Sequence, residues 1–239
     1  MPRARDDRPR HQQIAADLRD QIMRGDLAPG AQLPSTSELV GRYSAANATI
    51  QRALATLKAE GFLDSRVGKG VYVRDRQPFV IDASAYIDPG AGRFRYRLVG
   101  VEEGVPPADV IEALELDLGV AAVVRRRVLV HGEQPVELST SFYPADLAAG
   151  TDLARPAKIR GGAPRVLADL GFPQRRFVDR ILARPPTVEE VEMLELPEGT
   201  PVIRQLRTIY SERRPVEVSV LIKGAHLYEL LYRQEIGSF

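Results

Sequence analysis

Between Leu33 and Val73 the chain sets out, in order, Leu33-Pro-Ser35, a short helical stretch, Asn47-Ala-Thr-Ile-Gln51, a longer helical stretch, Glu60-Gly61-Phe62, and Arg66-Val-Gly-Lys-Gly-Val-Tyr-Val73. Few folds accept that succession. Ile14, Leu18 and Ile22 recur at i, i+4 and i+8, one apolar face of a preceding helix. Gly25 and Pro29-Gly30 then break the chain. Ser35, with Glu38 three residues on, forms a capping box that starts the second helix, whose Leu39 and Val40 can turn toward the first. Asn47 caps the third helix or occupies its first turn. Ile50, Leu54 and Leu57 form its buried face, and Gly61 stops it. This order predicts a winged helix-turn-helix, which places its second motif helix in the major groove of DNA, with a basic hairpin at the neighbouring backbone or minor groove.

The outer, N-terminal side of the third helix carries Asn47, Gln51 and Thr49. Asn47 and Gln51 are i, i+4 neighbours and face the same way. Their carboxamides can pair bidentately with adenine N6 and N7; in the competing reading Asn47 caps the helix and Gln51 meets a phosphate. Arg52, Lys58, Arg66 and Lys69 are candidates for phosphate or minor-groove contact, Lys69 standing between two glycines at the wing tip. Ser35, Thr36 and Ser37 start the second helix beside this surface.

On these residues the segment from about His11 to Val73 resembles the DNA-binding domain of the GntR family of bacterial transcription regulators. The resemblance rests on Gly25-Asp-Leu-Ala-Pro-Gly30, Leu33-Pro-Ser35, Thr49-Ile-Gln-Arg-Ala-Leu54, Glu60-Gly61 and Gly68-Lys-Gly-Val-Tyr-Val73. The departures fall on the reading positions. The family usually has Glu-Arg where this chain has Thr36-Ser37, Arg at Asn47 and often Arg at Gln51. The family's arginine-to-guanine contacts therefore do not carry over.

The rest of the sequence narrows the setting. The 239 residues accommodate two ordinary domains, with no cysteine for disulfides or zinc thiolates. His11, His131 and His226 are far apart and show no metal or catalytic spacing, His131 reading as a surface residue in the hairpin turn before Gly132 and His226 as one after the last strand. No cofactor or metal is expected. Residues 1–76 hold 13 Lys and Arg against 9 Asp and Glu, a charge of +4, so a total of +1 leaves −3 for the remainder. No apolar run is long enough to span a membrane, and the opening Met-Pro-Arg-Ala-Arg-Asp-Asp is no secretion signal, so a cytoplasmic protein is expected. Residues 1–8 read as a mobile basic arm. Boundaries are expected at 9–75 for the DNA-binding domain, 76–92 for a linker containing a strand-like Pro78-Phe-Val-Ile81, and 93–235 for a second domain. Gly161-Gly-Ala-Pro164 reads as a turn, or as an anion site before a helix at Arg165–Leu170.

That second domain repeats itself. At one constant offset, without a gap, Glu112–Ser139 lies on Glu192–Ser219. Leu114-Glu-Leu116 falls on Leu194-Glu-Leu196, Gly119 on Gly199, Arg127 on Arg207, and Pro135-Val-Glu137 on Pro215-Val-Glu217. Each copy reads as a strand, a Pro-started helix and two strands joined by a turn, with a capping box from Thr187 to Glu190 in the second copy. The duplication predicts an α+β domain with a pseudo-two-fold axis in an antiparallel sheet. Arg127, Arg207, Glu137 and Glu217 then either line a central cavity or form surface cross-strand pairs worth roughly 0.2–1 kcal/mol.

Residues from about Phe94 to Tyr232 also resemble the UTRA effector-binding domain, which marks the HutC-type branch of the GntR family. The matching features are Arg125-Arg-Arg127, Gly132-Glu-Gln-Pro135-Val-Glu137, Ser141-Phe-Tyr-Pro144, Ala183-Arg-Pro-Pro186, Leu194-Glu-Leu-Pro-Glu-Gly199 and Pro215-Val-Glu217. The resemblance implies a chorismate-lyase-like fold that senses a small metabolite, often acidic or phosphorylated. It implies ligand contacts from Arg125 and Arg127, acidic contacts from Glu137 and Glu217, and an aromatic contact from Tyr143; the repeat adds Arg207. The expected function is a repressor, a homodimer on an inverted-repeat operator of double-stranded DNA, modulated by that effector. The alternatives are a constitutive repressor whose second domain only dimerises, and a lyase-type enzyme, which fold analogy alone suggests and the DNA-binding domain disfavours.

Overall fold

The computed structural model describes residues 6–74, 79–82, 94–197, 199–212 and 214–233. The chain divides into two units at Phe79/Val80.

In the first unit, α1 (Arg10–Arg24) buries Ile14 and Leu18 and ends at Gly25, whose left-handed φ of 83° lets its N–H reach the Ile22 carbonyl. Helix α2 (Thr36–Tyr43) starts at the expected capping box: Ser35 accepts from the Glu38 N–H while the Glu38 carboxylate accepts from the Ser35 N–H. Helix α3 (Asn47–Ala59) has Ala46 as its N-cap, which places Asn47 in the first turn. Ile50, Leu54 and Leu57 close the core with Leu18, Leu33, Leu39 and Leu63, and Val40 packs against it half-buried. A half-buried Arg19–Glu60 ion pair of 2.6 Å ties α1 to the end of α3. The hairpin β1 (Leu63–Arg66) and β2 (Gly70–Val73) follows. The segment before α2 runs along β2: Leu33 N–H donates to Val71 O and Val73 N–H to Ala31 O, both at 2.8 Å.

Of the expected N-terminal arm, residues 1–5 lie outside the described residues. Residues 6–8 are tied down instead, because Gln13 Nε2 donates to the carbonyls of Asp6 and Arg8.

The second unit contains β3 (Phe79–Asp82), β4 (Phe94–Gly104), α4 (Ala108–Leu114), β5 (Ala122–His131), β6 (Gln134–Pro144) and α5 (Ala145–Ala148). After a 3-10 turn at Asp152–Ala154 come α6 (Gly162–Asp169), β7 (Arg176–Arg184), α7 (Val188–Leu194), β8 (Val202–Tyr210), β9 (Pro215–Gly224) and β10 (Tyr228–Leu231). Six strands form one antiparallel sheet in the order β4-β5-β6-β9-β8-β7. The order is a palindrome of the two repeats. At its centre Thr140 pairs with Val220, its own equivalent under the offset, so the pseudo-two-fold axis passes between them. Even the irregularities repeat: β5 and β6 slip register at Leu129/Val130, and β8 and β9 at Ile209/Tyr210. Helices α4 and α7 both end on a glutamate at positive φ, Glu115 at 56° and Glu195 at 50°.

The helices cross the axis. Helix α4 lies on β9 and α7 on β6, each covering a strand of the other half. Val110, Leu114 and Leu194 thereby bury one sheet face with Val124, Phe142, Leu206, Val218 and Ile222. The opposite face carries its apolar cluster at one end, where α5, the 3-10 turn and α6 supply Leu147, Leu153 and Leu167.

Two boundaries differ from the sequence reading. The span assigned to the linker includes β3, which pairs with β10 near the far end of the chain; residues 75–78 and 83–93 lie outside the described residues. His226 stands between β9 and β10 rather than beyond the last strand, and α6 begins at Gly162, three residues earlier than expected. Among the described residues no helix is long and apolar enough to cross a membrane.

Candidate nucleic-acid interface and ligand-binding face

The first turns of α3 present Asn47, Gln51 and Arg52 exposed and Thr49 half-buried, opposite the core residues Ile50 and Leu54. The start of α2 lies against this surface, since Gln51 Nε2 donates to Thr36 Oγ1 at 3.1 Å. Ser35 is committed to its helix: its hydroxyl contacts Glu38 Oε2 at 2.6 Å and Ser37 Oγ at 3.0 Å. Lys58 is in the last turn of α3, about 16 Å along the axis from Asn47, and the fold does not bring it to the same end.

The wing is more ordered than its glycines suggest. Arg66 stacks over Tyr72, its guanidinium carbon 4.2 Å from the ring centroid. Lys69 sits at the exposed tip between Gly68 and Gly70. Its carbonyl accepts from Gln32 Nε2 at 2.8 Å and from Tyr72 Oη at 3.1 Å, so two side chains hold the tip. Gly70 has φ 111°, and a Cβ there would stand 2.8 Å from Gln32 Nε2. The hold of Gln32 and Tyr72 on the wing tip was not legible in the sequence. Tyr72 alternates with the buried Val73, which marks it as outward-facing, but nothing in the sequence pairs Gln32 with the wing.

In the second unit, strand alternation brings the expected residues to the sheet face that α4 and α7 leave uncovered. Register places Arg125 beside Ser141, Arg127 beside Ser139, Leu129 beside Glu137, and Arg207 beside Ser219. Two networks run across this face. Arg127 donates to Ser139 Oγ at 3.2 Å and to Ser141 Oγ at 2.8 Å, Ser141 meets Ser219 at 2.7 Å, and Ser219 donates to Glu217 at 2.8 Å. Gln174 closes this network on the other oxygen of Glu217 at 2.9 Å.

The second network is ionic. Glu137 and Lys223, each 1% exposed at the side chain, pair at 3.0 Å. Lys223 also donates to Gln205, Gln205 to Asp179, and Arg207 pairs with Asp179 at 2.7 Å while lying over the Phe177 ring. Tyr228 of β10 covers Lys223, and burial, with the Glu137 carboxylate nearby, pushes its hydroxyl above the ordinary phenol range. Arg207, Glu137 and Glu217 are buried at 6%, 0% and 1%, which excludes solvent-exposed cross-strand pairs for these three.

Two of the expected contacts lie elsewhere. Arg125 faces the same way as Arg127, as a period of two requires, but its guanidinium is spent on main-chain carbonyls. It donates to Leu153 at 2.7 Å and to Arg155 and Ala157 at 2.8 Å, bracing the turn after α5. Tyr143 is fully buried in the apolar cluster with Leu147, Leu153 and Leu167. Conversely, Ser139, Ser141, Asp179, Gln205 and Lys223 were missed. The repeat already matched Ser139 to Ser219; Lys223 replaces Tyr143 under the offset, and Asp179 comes from the edge strand, where the two halves align least.

Residues 10–73 match the family model described as bacterial regulatory proteins, gntR family, and residues 91–229 match the UTRA domain. The chain is 31% identical to an uncharacterized HTH-type transcriptional regulator of Streptomyces coelicolor, over 84% of this chain and 82% of the relative. It is 27% identical to the histidine utilization repressor of Pseudomonas putida, over 93% of this chain and 90% of that one. A crystal structure of a GntR-family transcriptional regulator superposes with a TM-score of 0.66 at 25% identity, covering 96% of this chain and 99% of the other.

Proposed function

We propose, on the premise that the chain belongs to the gntR family of bacterial regulatory proteins and carries a UTRA domain, that it is a repressor whose hold on DNA is set by a small anionic metabolite. That it is a transcriptional regulator and not an enzyme follows from the family. The repressor assignment draws on relatives so named, such as the histidine utilization repressor of Pseudomonas putida. The observation that carries the effector reading is Arg127: a guanidinium bonded to the Ser139 and Ser141 hydroxyls, with Ser219 one hydrogen bond further along the same sheet face. The guanidinium, with the Ser139 hydroxyl as a further donor, suits a carboxylate or phosphate. Glu217 accepts from polar hydrogens of the same ligand, Glu137 and Arg207 support the face through the ionic network beside it, and Tyr143 packs in the apolar cluster at its end. Arg125 holds the neighbouring turn.

On DNA, the protein acts as a two-fold dimer on an inverted repeat, since operator palindromy mirrors protein symmetry. At least one of Asn47 and Gln51 reads an A·T pair in each half-site, Thr49 and Arg52 flank them, Ser35, Thr36 and Ser37 border the groove, and Arg66 and Lys69 meet backbone or minor groove. Effector binding shifts the dimer toward a conformation of different DNA affinity, by no more than its differential affinity for the two states.

The test is selection from random duplex DNA at near-physiological salt, followed by metabolite screening on the selected site. An enriched palindrome whose binding is changed by an anionic metabolite, with the response lost in Arg127→Met, supports the reading. A palindrome that no anion affects and that Arg127→Met leaves unchanged points to a constitutive repressor. Gln51→Ala or Asn47→Ala should cost ~1–3 kcal/mol and relax preference at one A·T position.

A further inference from the structure

We propose that Thr36 is a specificity-positioning residue, whose hydroxyl holds the Gln51 carboxamide in the orientation that reads adenine; this rests on the base-reading role of Gln51 given above. The two residues come from different helices. Thr36 is the first residue of α2, half-buried, on a backbone fixed by the Ser35–Glu38 capping box. Gln51 is exposed in the second turn of α3 and donates to Thr36 Oγ1 at 3.1 Å.

The chemistry of the amide makes this bond useful rather than wasteful. A glutamine head has two N–H donors and one carbonyl acceptor. With one N–H spent on Thr36, one N–H and Oε1 remain, and that donor–acceptor pair matches adenine N7 and N6 in the major groove. A long exposed side chain otherwise loses rotamer freedom when it meets a base, and a bond made beforehand reduces that cost. The same bond draws the head toward α2, across the recognition surface, and restrains it from swinging outward to a phosphate. Ser35 and Ser37 do not compete for this part, because their hydroxyls contact each other at the helix cap. Position 36 is therefore free to set the orientation of Gln51 without disturbing the start of α2.

The experiment compares the full-length wild type with Gln51→Ala, Thr36→Val, Thr36→Ser and the Thr36→Val/Gln51→Ala double variant. Each is titrated with the selected operator, with operators carrying each single base-pair swap, and with random duplex, at one salt concentration. Thr36→Val keeps the shape of the side chain and removes the acceptor. It is expected to lose about three- to ten-fold of the preference at the base pair that Gln51→Ala affects, a loss confined to that base pair and larger than any change on random duplex. Thr36→Ser retains the preference, and the double variant loses no more than Gln51→Ala alone. Full preference in Thr36→Val, against a position-specific loss in Gln51→Ala, overturns the positioning role and leaves the base reading standing. Equal loss on operator and random duplex in Thr36→Val overturns it as well, since that pattern marks Thr36 as a sequence-independent backbone contact and not as the residue that orients Gln51. No position-specific effect of Gln51→Ala removes the base reading, and the positioning role with it.

Discussion

Replacing Lys223 by methionine tests whether the buried ionic network supports the sheet face proposed to bind the effector. The ammonium lies 3.0 Å from the Glu137 carboxylate, and both side chains are 1% exposed. At that distance, with an effective dielectric near 20, the attraction is about 5 kcal/mol. Methionine fills most of the stem volume, so the loss is chiefly electrostatic. Leaving the Glu137 carboxylate buried without its partner should cost about 3–5 kcal/mol, and the hydrogen bond to Gln205 goes as well. Because the chain has two units, a single global transition is a poor readout. Hydrogen exchange of the β6 and β9 amides in the native full-length protein reports the relevant sheet. A 4 kcal/mol loss accelerates their equilibrium-limited exchange by about a thousand-fold. Adding Glu137→Gln to Lys223→Met should return much of that loss, because the uncompensated charge is removed; in a double-mutant cycle the two changes are strongly coupled. A single variant within about 1 kcal/mol of wild type, or two changes that simply add, would refute the reasoning.

Three further outcomes are expected. Gly70→Ala forces a side chain onto φ 111° and into Gln32, so the wing tip shifts; affinity for specific and random DNA should fall together, and Lys69→Ala should lower the salt slope by about one, both measured by titration across salt. Burial, helped by the 2.6 Å bond to Asp17, pushes the Tyr43 hydroxyl up to about 12. The folded value lies above the unfolded one, so this contribution is complete below about pH 10 and is lost as pH rises toward 12; Tyr43→Phe should abolish that alkaline loss in chemical denaturation followed across pH. Arg125→Met strands the carbonyls of Leu153, Arg155 and Ala157, and limited proteolysis should then cut first between 152 and 158 while Arg127 keeps its serine contacts.

What the sequence made legible was local or repeated. Capping boxes at Ser35 and Thr187 and the stop at Gly61 depend on residues a few positions apart, and each forms in place. The duplication was legible because no insertion disturbs its offset from Glu112 to Ser139, and the palindromic strand order follows from it. The ionic network was not, because Asp179 meets Arg207 only through the pairing of β7 with β8. Nor was the pairing of β3 with β10, which lies far along the chain. Alternation put Arg125 and Arg127 on one face correctly, yet it carries no information about the carbonyls of a distant turn that claim the first of them.

The palindromic sheet has a consequence for orientation. A scaffold built from two equal halves would present the effector we propose with two equivalent ways to lie across the Thr140–Val220 pair, and so with a degenerate bound state. Three exchanges between equivalent positions remove the degeneracy: Arg125 against Gln205, Ser141 against Leu221, and Tyr143 against Lys223. In one half the arginine faces hydroxyls; in the other it is neutralised by Asp179. An effector of the kind we propose, with one charged end, would thereby be given a heading, and one such molecule per chain, not a two-fold-related pair, is the expected stoichiometry.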